Sequence, residues 1–115
     1  MTITASLRPA LTLDRPAGKL RDGSGAPVPL TSAQYQLVEM LADAAGQIVS
    51  YADLCAAALG RPLRTDLDYR CVIALADCVR RRLPRDRDGD PVLRNVRGQG
   101  YWLLPGTVAV AGGAP

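Results

Sequence analysis

The sequence predicts an α+β domain: a short N-terminal antiparallel sheet, then three helices, then a C-terminal β-hairpin. Three observations carry this. Short apolar pieces cut by turn formers fill the first thirty residues. Apolar residues then recur at three- and four-residue spacing across residues 32–83. Last, Asn95-Val96-Arg97-Gly98-Gln99-Gly100-Tyr101-Trp102-Leu103-Leu104 reads as a strand, a tight glycine turn and a second strand. Gly98 and Gly100 accept positive φ without a Cβ penalty, and Tyr101, Trp102 and Leu103 supply β-propensity.

Taken in order, Leu11-Thr12-Leu13 and Gly18-Lys19-Leu20-Arg21 read as short strands. Asp22-Gly23-Ser24-Gly25 is a turn, and Pro27-Val28-Pro29-Leu30 a third extended piece whose prolines suit an edge. Thr31 or Ser32 caps a first helix, with Tyr35, Leu37, Val38, Leu41, Ala42 and Ala45 on one face and Gly46 at its end. Ile48-Val49 is a short extended link. Ser50 caps a second helix over residues 51–59, with Asp53 near the positive end of its dipole, and Gly60 stops it. After the loop Arg61-Pro62-Leu63-Arg64-Thr65, Asp66 is a good cap for a third helix that runs to about residue 83, where Pro84 ends it. Residues 85–91 form a charged loop before the hairpin. The expected boundaries are an N-terminal extension over 1–10, the domain over 11–104 and a loose small-residue tail over 105–115.

Composition narrows the chemistry. There is no histidine, which removes histidine acid–base catalysis and most zinc sites. Cys55, Cys71 and Cys78 contain no CxxC pair, so neither a metal set nor a disulfide framework is expected, and buried thiols are the default. No phosphate loop or nucleophile–base pair is present; an enzyme, a metal and a cofactor are not expected. No stretch is apolar for long enough to span a bilayer, and the first residues lack a secretory pattern, so a cytoplasmic protein without membrane contact is expected. The net charge of +3 is small, but its distribution is uneven. Through Gly60 four basic residues face five acidic ones, whereas across 61–97 ten arginines face six aspartates. Basic charge gathered in one half is a nucleic-acid signal.

On a helical wheel of the third helix, Val72, Leu75, Ala76, Val79 and Leu83 share a core face. Arg70, Ala74, Asp77, Cys78 and Arg81 lie opposite, with Cys71 at the margin. A basic amphipathic helix followed by an arginine-tipped hairpin suggests a helix for one groove of duplex DNA and a wing, carrying Arg97, for the neighbouring groove. The bland alternatives are a solvated hairpin arginine at Arg97 and dipole compensation by Arg80-Arg81-Arg82 at a helix C-terminus. A redox switch between Cys71 and Cys78 is also conceivable. Asp66 and Asp68, and Asp86, Asp88 and Asp90, read as a cap and a solvated loop.

These residues resemble the winged helix-turn-helix of the OmpR/PhoB type, the DNA-binding half of many two-component response regulators. The matching pieces are Val28-Pro29-Leu30-Thr31 into Tyr35-Gln36-Leu37-Val38, Gly46-Gln47-Ile48-Val49-Ser50-Tyr51-Ala52-Asp53-Leu54, Arg70-Cys71-Val72, Val79-Arg80-Arg81-Arg82-Leu83 and Asn95-Val96-Arg97-Gly98-Gln99-Gly100-Tyr101. The resemblance covers roughly residues 11–104. It implies a four-stranded N-terminal sheet, three helices and a hairpin, and a transcriptional regulator that binds duplex DNA. Arg70, Cys71, Ala74, Asp77, Cys78, Arg81 and Arg97 would carry the contact. It leaves open RNA polymerase or another protein as a second partner, and a homodimer.

Two departures shape the expectation. No receiver domain with an acidic phospho-acceptor accompanies the module, so control by aspartyl phosphorylation is not expected; a stand-alone regulator and a domain of a longer protein both stay open. The third helix reads Ile73-Ala74-Leu75-Ala76-Asp77-Cys78 where the family carries polar and basic residues. Cys71, Ala74 and Cys78 suit thymine methyls rather than guanine, and Asp77 is expected to repel phosphates. The competing function is therefore a winged-helix interaction module whose third helix docks on a protein.

Overall fold

The computed structural model describes residues 11–111. The expected extension over 1–10 and the last residues, 112–115, lie outside the described residues. The element order is β1 (Leu11–Asp14), β2 (Lys19–Arg21), α1 (Ser32–Asp43), β3 (Val49–Ser50), α2 (Tyr51–Leu59), α3 (Asp66–Arg82), β4 (Leu93–Val96), β5 (Gly100–Leu103) and β6 (Val108–Ala111). The strands form two sheets, ordered β2-β1-β6 and β3-β5-β4.

The first sheet corrects two expectations. β1 and β2 pair antiparallel with Leu13 opposite Leu20, as the sequence suggests. The third strand, however, is β6, which runs parallel to β1 with Leu11 opposite Val108. The sheet is mixed rather than antiparallel. Pro27-Val28-Pro29-Leu30 contributes an isolated bridge between Arg21 and Pro27; proline has no N–H with which to continue a ladder. Residues 105–111 are likewise not a loose tail. Gly106, at φ 84°, helps reverse the chain, and the carbonyl of buried Thr107 accepts the Leu11 N–H at 3.0 Å. β6 is built of valine and alanine, too little bulk to announce itself, and is fixed by backbone pairing with the far end of the domain.

Each helix starts on a side-chain cap. Thr31 Oγ1 accepts the Gln34 N–H at 3.2 Å, and Gln34 Oε1 accepts the Thr31 N–H at 3.0 Å, a reciprocal capping box. Ser50 Oγ accepts the Asp53 N–H, and Gly60 closes α2 in the left-handed region at φ 70°. For α3 the cap is Thr65, one residue before the expected Asp66. Thr65 Oγ1 accepts the Asp68 N–H and Asp68 returns a carboxylate oxygen to the Thr65 N–H at 3.1 Å. Asp66 instead sits in the first turn, where the helix dipole favours it.

One core joins the two sheets and three helices. Leu11, Leu13 and Leu20 meet Leu37, Val38 and Leu41 of α1, Leu54 and Cys55 of α2, and Val72, Ala76 and Val79 of α3. Leu83, Val92, Leu93, Tyr101 and Leu103 close it from the hairpin side. Of the expected core face of α3, Leu75 is only partly buried. Among the described residues, no helix is long and apolar enough to cross a membrane.

Candidate nucleic-acid interface

The wing is attached directly to the start of α2. β3 pairs antiparallel with β5, with Val49 opposite Tyr101 and Ser50 opposite Gly100. A Cβ on Gly100 would lie 1.9 Å from the Val49 carbonyl oxygen. Glycine is therefore required by close approach of two backbones. β5 continues antiparallel to β4 through the turn Arg97-Gly98-Gln99, in which Gly98 has φ 78° and the Gln99 N–H donates to Val96 O at 2.9 Å. Arg97 is thus held at the tip of a hairpin, exposed.

Three tyrosines fix the wing against the helices. The Tyr51 ring meets Tyr69 edge-on at a centroid distance of 5.0 Å and Tyr101 at 5.8 Å. The Tyr51 hydroxyl donates to Asn95 Oδ1 at 2.6 Å. Burial pushes the Tyr101 phenol up to about 12, with Tyr51 adding to the shift and Arg80 opposing it. Burial also raises the Tyr51 phenol, helped by its neighbour Tyr69. The starts of α2 and α3 and both hairpin strands therefore meet in one cluster. Sequence reasoning assigned Tyr101 strand propensity and burial, placed Asn95 in the first hairpin strand without a contact, and gave Tyr69 no role. The available signal was that Tyr51 opens α2, Tyr69 stands in the first turn of α3 and Tyr101 near the start of β5.

On α3, Arg70, Ala74, Cys78 and Arg81 are exposed, and Cys71 and Asp77 are half-buried. The wheel placed these six on one side, and the fold leaves that side outside the core. Asp77 is not bare: its carboxylate accepts from Arg80 Nη2 and Arg81 Nη2, each at 2.5 Å. The group expected simply to repel phosphate is paired with two guanidinium groups one turn further along. Arg80 lines an open groove of about 320 Å³ between α3 and the hairpin, with Arg70, Ala74, Asp77, Asn95 and Tyr101. Arg81 points outward and is 73% exposed. Among the described residues Arg70 and Arg97 hold no ion pair.

Other arginines are committed elsewhere. Arg94 pairs with Asp86 at 2.8 Å, donates to Pro91 O and lies 5.4 Å from the Trp102 ring centroid. Asp86 also accepts the Asp88 and Asp90 N–H groups, so the charged loop is a closed turn. Arg61 Nε donates to Asp68 at 2.8 Å. With the Arg64 and Thr65 N–H groups also aimed at it, the Asp68 carboxyl is held down at about 2. The loop before α3 is pinned to the helix by this carboxylate.

The cysteines do not form an intrachain switch. Cys71 and Cys78 are separated by about 10 Å of helical rise, beyond the roughly 7 Å Cα spacing that a disulfide spans. Cys55 is fully buried, and burial raises its thiol pKa. Among the described residues no cluster of cysteine and carboxylate side chains could hold a metal ion.

The chain is 34% identical over 95 residues to the transcriptional regulatory protein CpxR of Klebsiella pneumoniae, and 34% identical over 80 residues to CpxR of Escherichia coli K12. These alignments cover 83% and 70% of this chain but 40% and 34% of those proteins. The chain thus spans well under half the length of these relatives. Its fold superposes on the crystal structure of the DNA-binding domain of E. coli CpxR with a TM-score of 0.73 at 31% identity, covering 90% of this chain and 95% of that one. It superposes on the K. pneumoniae RstA DNA-binding domain, in complex with the RstA box, with a TM-score of 0.71 at 26% identity, covering 85% and 94%. With residues 25–103 matching the family described as transcriptional regulatory protein, C terminal, this chain belongs to that family of OmpR/PhoB-type winged-helix domains.

Proposed function

We propose that this domain binds duplex DNA as a transcriptional regulator in the cytoplasm, with the exposed face of α3 in the major groove and the wing at the adjacent minor groove. The observation that carries this reading is the continuity of one surface. Arg70 and Arg81 on α3, Arg80 in the groove and Arg97 at the wing tip present cations on two elements that the tyrosine cluster holds together. Backbone phosphates supply the affinity for such a surface. Arg97 suits a narrow minor groove, where the negative potential is strongest. The domain-level relatives CpxR and RstA point the same way. On the major-groove face Ala74 and Cys78 offer apolar contact to thymine methyls and no bidentate hydrogen bonds, so base discrimination there is modest.

The test is a titration of random-sequence duplex at two salt concentrations. Arg81→Ala with Arg97→Ala should weaken binding to every sequence and flatten the log–log salt slope by about two units. Unchanged affinity in that double variant would remove DNA from the reading. One observation favours a protein partner instead: Leu67 and Tyr69, at the start of α3, are 66% and 39% exposed. If that patch carries the function, Leu67→Ala should abolish a partner complex while leaving the DNA titration unmoved.

A further inference from the structure

We infer that Asp77 is a built-in competitor for phosphate, which withholds Arg80 and Arg81 from the DNA backbone and so limits non-specific binding. The inference rests on the DNA-binding reading above. It starts from a single carboxylate with two claimants. Asp77 Oδ1 takes Arg80 and Oδ2 takes Arg81, so both oxygens are engaged and neither guanidinium is left without a counter-charge. The spacings i, i+3 and i, i+4 put all three residues on one strip of helix. Arg80 lines the groove beside the wing, and Arg81 is the more exposed of the two. The carboxylate therefore engages one arginine in the groove and one on the open face of α3.

Two consequences follow for a phosphate approaching this strip. It must displace Asp77 from whichever arginine it takes, because the carboxylate and the phosphate compete for the same N–H donors. After displacement the carboxylate remains at the interface, and its charge opposes that of the phosphates. Exposed ion pairs are individually weak, so this competition tunes affinity rather than blocking it. The net charge of the trio is +1, and it becomes +2 when Asp77 is neutralised. An aspartate in the middle of a cationic face has no core to support and no cap to make: Thr65 and Asp68 already start α3, and Asp77 lies well inside the helix.

The experiment compares the wild-type domain with Asp77→Asn on a short random-sequence duplex, read by fluorescence anisotropy across a salt series. Asp77→Asn should tighten binding about fivefold at low salt and steepen the log–log slope by about one unit. Asp77→Ser should do the same, which separates charge from shape and guards against a folding defect in either variant. Arg81→Gln should then cost more affinity in the Asp77→Asn background than in the wild type, because there the guanidinium meets phosphate without first leaving a carboxylate. If wild type binds and the Asp77 variants match it in affinity and slope, or if Arg81→Gln has the same effect in both backgrounds, the inference is overturned and the DNA-binding reading survives. If no form binds duplex at low salt, both fall together.

Discussion

Tyr51 and Asn95 stand 44 positions apart in the chain, yet the Tyr51 hydroxyl donates to Asn95 Oδ1 at 2.6 Å. This contact joins the first residue of α2 to the first strand of the wing. The wing is therefore not a free hairpin. Its angle to α3 is set by a side chain from a third element, and the same ring packs against Tyr69 of α3 and Tyr101 of β5.

Tyr51→Phe keeps both ring contacts and removes the hydroxyl. Stability should fall by about 1 kcal/mol, the typical worth of one hydrogen bond. Amide exchange in β4 should rise more than in α1. A denaturant midpoint equal to that of the wild type would mean that the hydroxyl contributes nothing to the fold.

The two wing glycines should respond differently. Gly100→Ala forces a Cβ onto the Val49 carbonyl oxygen, so β3 and β5 must separate. A loss of about 3 kcal/mol, or failure to fold, is expected. Gly98→Ala meets nothing within 4 Å and bears only the strain of φ 78°, about 1–2 kcal/mol. Urea unfolding of both variants checks the order; the reverse ranking would contradict the β3–β5 approach.

Acid should act through Asp68. Its carboxyl titrates at about 2 in the fold against 3.8 unfolded, so the stability it confers is complete above pH 4 and is lost as pH falls towards 2. Asp68→Asn should flatten the stability profile in that window and free the loop that carries Arg61. At the alkaline end the sign reverses. Tyr101 titrates near 12 in the fold against 10 unfolded, so its contribution is intact below pH 10 and disappears as pH rises through 12. Chemical unfolding across pH, with Tyr101→Phe as the control, separates the two limbs.

Removing residues 105–115 tests β6. The truncated chain should unfold at lower denaturant and lose amide protection along β1, whose parallel partner is gone. Wild-type protection in β1 would mean that β6 is dispensable to the sheet.

Much of this arrangement is legible in the sequence because its signals are local. The caps of α1 and α2, the three helices, the hairpin turn and the exposed stripe of α3 follow from turn chemistry and 3.6-residue periodicity. What is not legible depends on partners distant in sequence. β6 is placed by β1, not by its own valines and alanines. Thr65 displaces Asp66 as the cap because Asp68 completes a reciprocal pair with it. Tyr51, Tyr69 and Asn95 acquire a role only where three elements converge. Asp77 reads as a lone repulsive charge on a wheel, because a wheel shows direction but not which arginine side chains bend back to meet it.

The parallel pairing of β1 with β6 gives the domain a mechanical character. Residue 11 lies beside residue 108, and residue 14 beside residue 111. The chain enters this ribbon at one end and leaves it at the other. Tension applied through residues 11 and 111 therefore runs along both strands in opposite directions and loads the hydrogen bonds between them together, in shear. An antiparallel final strand would have placed the two attachment points side by side, and the same pull would have peeled the bonds apart one at a time.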